Sequence, residues 1–517
     1  MNKYIISVLS GIFTSLSFNI LKLDWIVWFS ISPLIFFLID NEINLKSKLK
    51  LSFCYSFSFY LGLLTWLFRL HPLTWVGFTE VESILILILG WVVFSLIEAL
   101  GLSFIAFFTI NKSEIQNIIL IPFAWILIEY LQGLTNFGFT WGRLGISQFQ
   151  NIYLIQSANI LGSLWISFLI VFVNTVIAFN FINYKRNKKI HFKSVLILFI
   201  LVSINFVYGY YSFNKEDYFK NESKATIVQG NILSDQKWDI SVQSALDIYL
   251  DLSKKSLGRK NKSDFIVWPE SAVKTLIENE VIIKQLKDFT KLYNVTLITG
   301  CFSSNKTINQ ILKGEEYEIM NSITGINEKG EILGFYSKRH LVPFGEYLPF
   351  RKLLEFFLPK ISKLNALEKD LTPGKDAGIF STKYGNIGGL VCYESIFPEI
   401  ARDSVLSGAN LLVIVTNDSW FKDSMATQHH NAQAVFRAIE NNRYIIRAAN
   451  TGISSFISSK GEILNYLPPL VKDTISYNVR FKDNVSYYTK YGDVIVILSL
   501  LVILSSYIKS KVFSHKF

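Results

Sequence analysis

The sequence predicts a polytopic α-helical membrane bundle of about eight spans, joined to a layered α/β domain. Three observations lead to this prediction. Half of the 517 residues are hydrophobic, so the chain is too apolar for a purely soluble protein. Apolar runs of nearly membrane-spanning length fill the first 212 residues and recur near the carboxyl end. Between them, from Tyr218 onward, short strand-like segments alternate with amphipathic helical segments.

Eight apolar runs are candidate spans, because a helix needs about 20 apolar residues to cross about 30 Å of hydrocarbon. They are residues 4–21, 25–39, 51–70, 84–110, 118–133, 160–182, 194–212 and 494–508. The second, fifth and last runs are short enough to be re-entrant or buried helices, so the number eight is open by one or two. The first run has no cleavage signature, and we therefore expect an uncleaved span.

Basic residues are distributed unevenly over the connecting segments. If the amino terminus is cytoplasmic, thirteen Lys and Arg residues lie in the inner segments and three in the short outer ones. The inner residues are Lys3, Lys46, Lys48, Lys50, Lys112, Lys185, Arg186, Lys188, Lys189, Lys193, Lys509, Lys511 and Lys516, and the outer residues are Lys22, Arg69 and Arg143. Short basic loops stay on the cytoplasmic side. We therefore expect both termini inside, with domain boundaries at 1–212 for the bundle, 213–490 for the outer domain and 491–517 for a closing helix and cytoplasmic tail.

The formal net charge of +11 does not indicate a nucleic-acid partner. Residues 213–490 contain 35 Lys and Arg against 31 Asp and Glu, so the positive excess lies mainly in the predicted cytoplasmic loops and tail. The chain holds three cysteines: Cys54, Cys301 and Cys392. Two cysteines in an outer domain do not make a disulfide framework, which suggests a chemical role for at least one thiol.

The outer domain reads as an α/β sandwich, because its strands are apolar on both faces and alternate with amphipathic helices. The predicted strands are 225–229, 265–268, 295–299, 322–326, 333–337, 387–391, 411–416, 444–449 and 454–457. The predicted helices are 241–256, 277–292 and 426–441.

Three polar residues follow apolar strands, where α/β folds usually place their sites. Glu270 comes after a strand and Pro269, a position that suits a general base or, more simply, a turn carboxylate. Lys338 precedes an apolar loop and is either a surface charge or a buried ammonium that stabilises an oxyanion and keeps a neighbouring thiolate ionised. Cys392 ends an apolar strand and is either a buried structural thiol or a nucleophile exposed at a strand-to-helix turn.

Histidines give weaker signals. His340, His429 and His430 stand in no context typical of a Ser-His-Asp or Cys-His site. The pair His429 and His430 is not accompanied by other ligands at metal-binding spacing, so we expect no metal site. Nothing else in the sequence demands a cofactor.

Three motifs in order, with three more around them, carry a family resemblance. The three in order are Trp268-Pro-Glu270, Lys338-Arg-His-Leu-Val-Pro-Phe-Gly-Glu346 and Cys392-Tyr-Glu-Ser395. The three around them are Val228-Gln-Gly-Asn231, Lys237-Trp238 and Thr416-Asn-Asp-Ser-Trp-Phe421. Within this topology the chain resembles the apolipoprotein N-acyltransferase family, the membrane branch of the nitrilase superfamily. The resemblance extends over essentially the whole chain and implies that the outer domain is a nitrilase-like α-β-β-α sandwich.

The resemblance implies a role for each matching residue. Glu270 would be the general base, Lys338 the oxyanion-stabilising ammonium and Cys392 the acylated nucleophile. The supporting residues would be Glu346, Tyr393 and Glu394, and the residues that meet lipid or substrate would be Trp238 and Trp420. The chain departs from the family pattern at Lys422, which replaces a common glycine in the loop after Trp420.

The implied reaction is the last step of lipoprotein maturation. A membrane phospholipid would acylate Cys392, and the thioester would pass its acyl chain to the N-terminal diacylglyceryl-cysteine of an apolipoprotein in a ping-pong cycle. We expect the protein to be integral to the bacterial inner membrane, monomeric, with its catalytic domain in the periplasm.

Two rival functions remain open. A membrane-tethered amidase or hydrolase of nitrilase type would use the same three residues and pass the acyl group to water, although a soluble substrate would not require seven preceding spans. A transporter or receptor with a degenerate outer domain predicts ionisable residues paired across the bundle. Glu98 and Glu129 are the candidates within spans, and the sequence shows no obvious basic partner for them.

Overall fold

The computed structural model describes residues 2–74, 77–109, 113–135, 137–233, 240–258, 262–357 and 369–514. The chain divides into two compact units. The helical unit comprises residues 1–68, 84–215 and 491–517, and the α/β unit comprises residues 69–83 and 216–490. The α/β unit therefore includes a short segment, 69–83, that precedes it by more than a hundred residues in the chain.

The helical unit contains a helix at each of the eight predicted apolar runs. These helices are Lys3–Asn19, Asp24–Ile39, Leu45–Leu70, Glu80–Thr109, Glu114–Leu131, Ser163–Asn187, Phe192–Asn214 and Val494–Ser514, with a short apolar helical stretch at Ile152–Leu161. Among the described residues, five of the helices are long and apolar enough to cross a membrane by length and composition. The polytopic helical architecture is confirmed, while the span count of eight stays a prediction.

Small residues allow the first long helices to approach closely. A Cβ added to Gly11 would lie 2.2 Å from Ser58 Oγ, and one added to Gly62 would lie 2.1 Å from Ser15 Oγ. Small-residue contacts of this kind are typical of helix pairs in membranes, where no hydrophobic effect drives helices together. The pair Lys3–Asn19 and Leu45–Leu63 is therefore packed by its glycines and serines.

The two buried carboxylates of the bundle have partners that stabilise the fold. Glu98 Oε2 accepts a hydrogen bond from Gln132 Nε2 at 2.7 Å. Glu129 Oε1 accepts from Trp125 Nε1 at 3.1 Å and from the Leu144 backbone N–H at 3.0 Å. These contacts fit structural roles.

The α/β unit is built from two sheets. In chain order its strands are β1 (Asn221–Gln229), β2 (Phe265–Val267), β3 (Val273–Leu276), β4 (Thr296–Ser304), β5 (Ile319–Ile326), β6 (Ile332–Ser337), β7 (Ile379–Thr382), β8 (Gly385–Val391), β9 (Leu411–Thr416), β10 (Ile445–Ala449), β11 (Ser454–Ile457), β12 (Ile463–Leu467) and β13 (Asp473–Phe481). Within the described ranges, one sheet has the order β13-β1-β2-β4-β5-β6, with β3 beside β4, and the other has the order β12-β11-β10-β9-β8-β7. The central neighbours β1, β2 and β4, and likewise β8, β9 and β10, run parallel.

The alternation of apolar side chains along the strands creates two cores. Ile227 of β1 packs between the sheets with Val413 of β9, while the next residue, Val228, packs against the helices that cover the first sheet. The covering helices of the first sheet are Val242–Ser256 and Glu280–Tyr293, and those near the second are Pro398–Leu406 and Met425–Asn441. The predicted α-β-β-α sandwich is confirmed.

All nine predicted strands and all three predicted helices are present. The prediction missed β3, β7, β12 and β13, which lie at or near the margins of the sheets. β13, for example, has a mixed burial pattern and few fully buried positions. Margin strands lack the two-sided apolar signal, and their pairing decides their conformation.

Candidate active site

Three strand ends carry the residues that the motifs singled out. Glu270 follows β2 after Trp268 and Pro269, Lys338 follows β6 directly, and Cys392 follows β8 directly. The carboxylate and the ammonium come from the first sheet, whereas the thiol comes from the second. The packing of the two sheets therefore brings these three groups together.

Glu270 is a buried carboxylate held by two donors. Its Oε1 accepts from Asn321 Nδ2 at 2.7 Å, and its Oε2 accepts from the Asn417 backbone N–H at 2.7 Å. A Cβ added to Gly300 would lie 2.5 Å from Glu270 Cα, so glycine at this position of β4 makes room for the carboxylate-bearing chain. Both oxygens have a defined orientation because one donor comes from each sheet.

Lys338 is a buried ammonium, only 1% exposed, that lies between two carboxylates. Its Nζ is 2.9 Å from Glu346 Oε2 and 4.0 Å from Glu270 Oε1. Asn321 links the carboxylates, because its Nδ2 also donates to Glu346 Oε1 at 2.7 Å. Burial lowers the pKa of Lys338, but the charges of Glu346 and Glu270 outweigh burial and raise the pKa above its ordinary value. The side chain is therefore a cation at neutral pH.

Cys392 occupies a left-handed turn. Its φ is +52°, a region that side chains other than glycine and asparagine seldom adopt. The turn leads from β8 into the short helix Cys392–Ile396 and leaves the residue half-buried. Such backbone conformations persist where the surroundings over-determine them, and they cluster at functional sites.

The environment of the thiol disfavours its ionisation. Burial and the charge of Glu270 raise the pKa of Cys392 above its ordinary value, although the charge of Lys338 acts in the opposite direction. The thiol is therefore protonated at neutral pH. This direction runs against the expectation that Lys338 keeps a resting thiolate ionised, because burial and a carboxylate outweigh the ammonium. A nearby base has to accept the proton when the sulfur reacts.

Glu394 connects the segment after Lys338 with the nucleophile turn. Its carboxylate is fully buried and accepts from the Arg339 N–H and the Val391 N–H, each at 2.7 Å. The Tyr336 hydroxyl lies 2.8 Å from both carboxylate oxygens. Glu394 thus joins the end of β6 to the end of β8, which places Lys338 and Cys392 in a defined relation.

The remaining motif residues are placed less tightly. Tyr393 is half-buried and packs edge-on against Phe397 with ring centroids 5.2 Å apart. Trp420 is half-buried at the end of the short helix Asp418–Trp420. Trp238 lies outside the described residues. The structure thus brings Glu346 and Glu394 to the three central residues, with Tyr393 next to the thiol in the chain.

Asn321 is a site residue that the motifs did not reveal. It lies inside β5, an otherwise mostly apolar strand, and it is only 3% exposed. A polar side chain at a buried strand position needs hydrogen-bond partners, and this rule is the one sequence signal that could have found it. Its two partners, Glu270 and Glu346, lie far from it in the chain and could not be inferred from that signal.

In the loop that follows Trp420, the chain departs from the family pattern at Lys422. The backbone adopts a left-handed turn at this residue. Lys422 has a φ of +49°, the conformation that a glycine would adopt without strain. Its Nζ donates to the His71 carbonyl oxygen at 2.9 Å, and the neighbouring Asp423 lies 3.8 Å from Arg69. The lysine side chain therefore makes a contact with segment 69–83 that a glycine could not make.

The arrangement combines a thiol, a carboxylate that can accept its proton and an ammonium that can stabilise negative charge. Such a set suits covalent acyl transfer through a thioester. Within the residues that the structure describes, no group of three or more His, Cys, Asp and Glu side chains could hold a metal ion.

Two family models match the chain. Residues 224–487 match the carbon-nitrogen hydrolase family, which is just over half of the chain, and residues 10–176 match the N-terminal domain of apolipoprotein N-acyltransferase. The helical unit and the α/β unit are thus each covered by a model. Together with the apolar helices, these matches identify a membrane protein.

Curated relatives give the same indication. The apolipoprotein N-acyltransferase of Geobacter metallireducens is 36% identical over 343 residues, which cover 66% of this chain and 64% of that protein. The protein of the same name from Pasteurella multocida is 30% identical over 67% of this chain and 66% of its own length. The one from Wigglesworthia glossinidia brevipalpis is 30% identical over 68% of each chain. The chain thus covers just under two thirds of the first of these relatives.

Proposed function

Because the chain belongs to the apolipoprotein N-acyltransferase family, within the carbon-nitrogen hydrolases, we propose that it N-acylates lipoproteins with an acyl chain taken from a membrane phospholipid. The observation that carries the proposal is the buried network in which Asn321 joins Glu270 to Glu346 beside Lys338 and Cys392. Glu270 is the general base, Lys338 the oxyanion stabiliser and Cys392 the nucleophile.

In the first half-reaction, Glu270 takes the thiol proton as the sulfur of Cys392 attacks an ester carbonyl carbon of the phospholipid. The C–S bond forms and the carbonyl oxygen becomes an oxyanion, which the Lys338 ammonium stabilises. When the intermediate collapses, the ester C–O bond breaks and the leaving oxygen takes the proton from Glu270. A lysophospholipid departs, and the acyl chain stays on the enzyme as a thioester.

In the second half-reaction, the free α-amine of a diacylglyceryl-cysteine attacks the thioester carbon. The C–N bond forms, the amine gives a proton to Glu270, and the C–S bond breaks. Cys392 recovers that proton, so the resting thiol is regenerated. The raised pKa of Cys392 is consistent with this cycle, because the sulfur is protonated before each turnover.

The location of the reaction follows from its substrates. Both carry acyl chains that lie in a bilayer, so the helical unit and the α/β unit together suit a reaction at a membrane surface. We place residues 213–490 on the periplasmic side of the bacterial inner membrane, with both termini in the cytoplasm, because basic residues are concentrated in the opposite segments. The chain acts as a monomer. Tyr393 lies beside the thiol, and Trp238 and Trp420 meet lipid or substrate.

The test is intact-mass analysis of detergent-purified protein incubated with phospholipid. We expect an acyl mass that hydroxylamine removes on the wild type and on Cys54→Ser, which lacks the other half-buried thiol. Cys392→Ala should carry no adduct. Adding a diacylglyceryl lipopeptide should discharge the adduct and yield an N-acylated peptide.

Two outcomes would count against the proposal. An adduct that persists in Cys392→Ala would move the nucleophile elsewhere. An adduct that decays to free fatty acid while the lipopeptide stays unmodified would favour the membrane-tethered hydrolase, because water would then be the acceptor.

A further inference from the structure

His430 lies behind the nucleophile turn, in a chain of buried hydrogen bonds. It is 1% exposed and belongs to the helix Met425–Asn441. Its Nδ1 is 2.8 Å from Asp418 Oδ1, and its Nε2 is 3.1 Å from the carbonyl oxygen of Cys392 and 2.9 Å from Ser395 Oγ. The ring therefore connects Asp418 with the backbone of the residue that carries the thiol.

The contacts of Ser395, His430 and Asp418 have the geometry of a Ser-His-Asp triad. Ser395 is nevertheless fully buried, and its hydroxyl also donates to the Cys392 carbonyl oxygen at 2.9 Å. A serine without access to solvent, facing a backbone carbonyl, is badly placed to attack a substrate. The same constellation that activates a serine in hydrolases is here directed at the backbone of Cys392.

Asp418, at the other end of this series of hydrogen bonds, is firmly anchored. Asp418 Oδ2 is 2.8 Å from Arg447 Nη2, and both side chains are fully buried. Asp418 Oδ1 also accepts from the Thr416 hydroxyl at 2.8 Å. Burial alone would raise the pKa of Asp418, but the charge of Arg447 and the contact with His430 lower it below its usual range. The carboxylate is thus a fixed anion against which the imidazole is oriented.

We propose that His430 is a positioning residue, which acts through the carbonyl oxygen of Cys392 and holds the turn that presents the thiol. The inference rests on the proposed function, because it assigns a role in the acylation of Cys392. It extends that function to His430, whose ring contacts the backbone carbonyl of Cys392. Arg447 and Asp418 orient the ring, and Ser395 shares its contact with the carbonyl.

The backbone conformation explains why such a device is needed. A left-handed residue other than glycine is strained and persists only when its surroundings hold it. Two side chains of this network, through His430 Nε2 and Ser395 Oγ, lie within hydrogen-bond distance of the Cys392 carbonyl oxygen. Loss of the contact should let the turn relax, and displacement of a reacting group by about 1 Å can cost about 100-fold in rate.

Three substitutions of His430 distinguish the contact of Nδ1 with Asp418 from the contact of Nε2 with the Cys392 carbonyl. His430→Gln places an amide N–H near the position of Nε2 and so keeps a donor toward the Cys392 carbonyl. His430→Asn places its amide near Nδ1, so it keeps the contact with Asp418 and loses the carbonyl. His430→Leu loses both contacts. We expect the maximal rate of Cys392 acylation to fall about 10- to 100-fold in His430→Asn and His430→Leu, and only about 5-fold or less in His430→Gln.

The measurement is a single-turnover acylation series over phospholipid concentration, followed by intact mass. The half-saturating concentration should stay within about 3-fold of the wild type, since a positioning residue changes reactivity rather than binding. Asn431→Leu is the matched control. Asn431 is equally buried in the same helix, and its Oδ1 accepts from Ser455 at 2.9 Å. The Asn431→Leu variant should have a lower melting temperature than the wild type and an unchanged acylation rate.

Iodoacetamide alkylation of Cys392 in a Cys54→Ser background gives a readout independent of acyl transfer. The order of alkylation rates should be wild type, then His430→Gln, then His430→Asn. Equal rates for folded His430→Gln and His430→Asn would overturn the proposal, as would an acyl adduct on Ser395 in Cys392→Ala. An unacylated wild type with the expected alkylation order would refute the proposed function while leaving the positioning role standing.

Discussion

Lys338 Nζ lies 2.9 Å from Glu346 Oε2, so the buried ammonium is paired with this carboxylate. Its separation from Glu270 Oε1 is 4.0 Å, so the ion pair with Glu270 is the longer of the two. This division of contacts matters for the proposed mechanism. Glu346 takes the shorter contact and holds the ammonium in place beside Glu270.

Removing the charge of Glu346 should damage both stability and activity. In Glu346→Gln the ammonium is left with Glu270 as its remaining carboxylate partner in this network, so we expect it to shift toward Glu270 and weaken the base. Breaking one side of a buried ion pair costs about 3 kcal/mol of unfolding free energy, and we expect the acylation rate to fall about 100-fold. Denaturant unfolding and single-turnover acylation measure the two effects.

The matched control for this prediction is Glu315→Gln. Glu315 lies 3.1 Å from Lys306, but both side chains are substantially exposed. An exposed pair contributes about 0–1 kcal/mol, so this variant should behave like the wild type. A Glu346→Gln protein as stable and as active as the control would show that the Lys338 pair does not matter.

Asn321→Asp should be more harmful than its small change in shape suggests. The amide of Asn321 donates to Glu270 and Glu346, each at 2.7 Å, and an aspartate would set a third carboxylate between them. Like charges at this distance cannot all ionise, so one carboxyl of the group must take up a proton near neutral pH. We expect acylation to fall about 100-fold or more at pH 7. Recovery as the pH is lowered would not be expected, because the base would protonate first.

Asn327→Asp tests the same chemistry on the surface. Asn327 Nδ2 also donates to a carboxylate, Glu331, at 2.7 Å, but Glu331 is exposed and Asn327 is only half-buried. Water screens the new charge there, so the acylation rate should not change. If Asn321→Asp retained the rate of Asn327→Asp, the bridging role of Asn321 would have to be abandoned.

The reactivity of Cys392 should rise with pH well above neutrality. Burial and Glu270 raise the pKa of the thiol, so the thiolate fraction is small at pH 7 and increases as the pH climbs. Lys338 acts in the opposite direction, so Lys338→Met should shift the midpoint of the alkylation profile to still higher pH. Glu270→Gln should shift it to lower pH, because the repelling carboxylate is removed.

Iodoacetamide rates between pH 6 and 10 in a Cys54→Ser background follow the rising limb of each profile, and its displacement along the pH axis gives the direction of the shift. Cys301 is fully buried, which protects it from the reagent in the folded protein. Shifts in the same direction for Lys338→Met and Glu270→Gln would contradict the electrostatic account of the site.

Lys422→Gly should be nearly neutral. Glycine adopts the observed φ of +49° without strain, which is worth about 1 kcal/mol. The substitution also loses the hydrogen bond from Nζ to the His71 carbonyl, which contributes about 0.5–1.5 kcal/mol. We expect the unfolding free energy to change by less than about 1 kcal/mol and acylation to persist. Lys422→Val should destabilise the protein measurably, since a β-branched residue is disfavoured in this region.

Much of the fold was predictable because its signals are local. Runs of about 20 apolar residues predict membrane helices, and two-sided apolar strands such as Leu411–Thr416 are bounded correctly by composition alone. The margin strand Asp473–Phe481 was missed because its amphipathic pattern is weak. Pairing with Asn221–Gln229 along its whole length decides its conformation.

The candidate site likewise has features that could be predicted from the sequence and features that could not. That Glu270, Lys338 and Cys392 stand after apolar strands, in motifs with a family resemblance, can be read from the residues alone. Three other features appear only in the folded chain: Asn321 bridges Glu270 and Glu346, burial and Glu270 raise the pKa of Cys392, and His430 faces the backbone of Cys392. The reason is physical: hydrogen bonds and pKa shifts depend on distances between residues that two packed sheets bring together, and these distances leave no periodic trace in the chain.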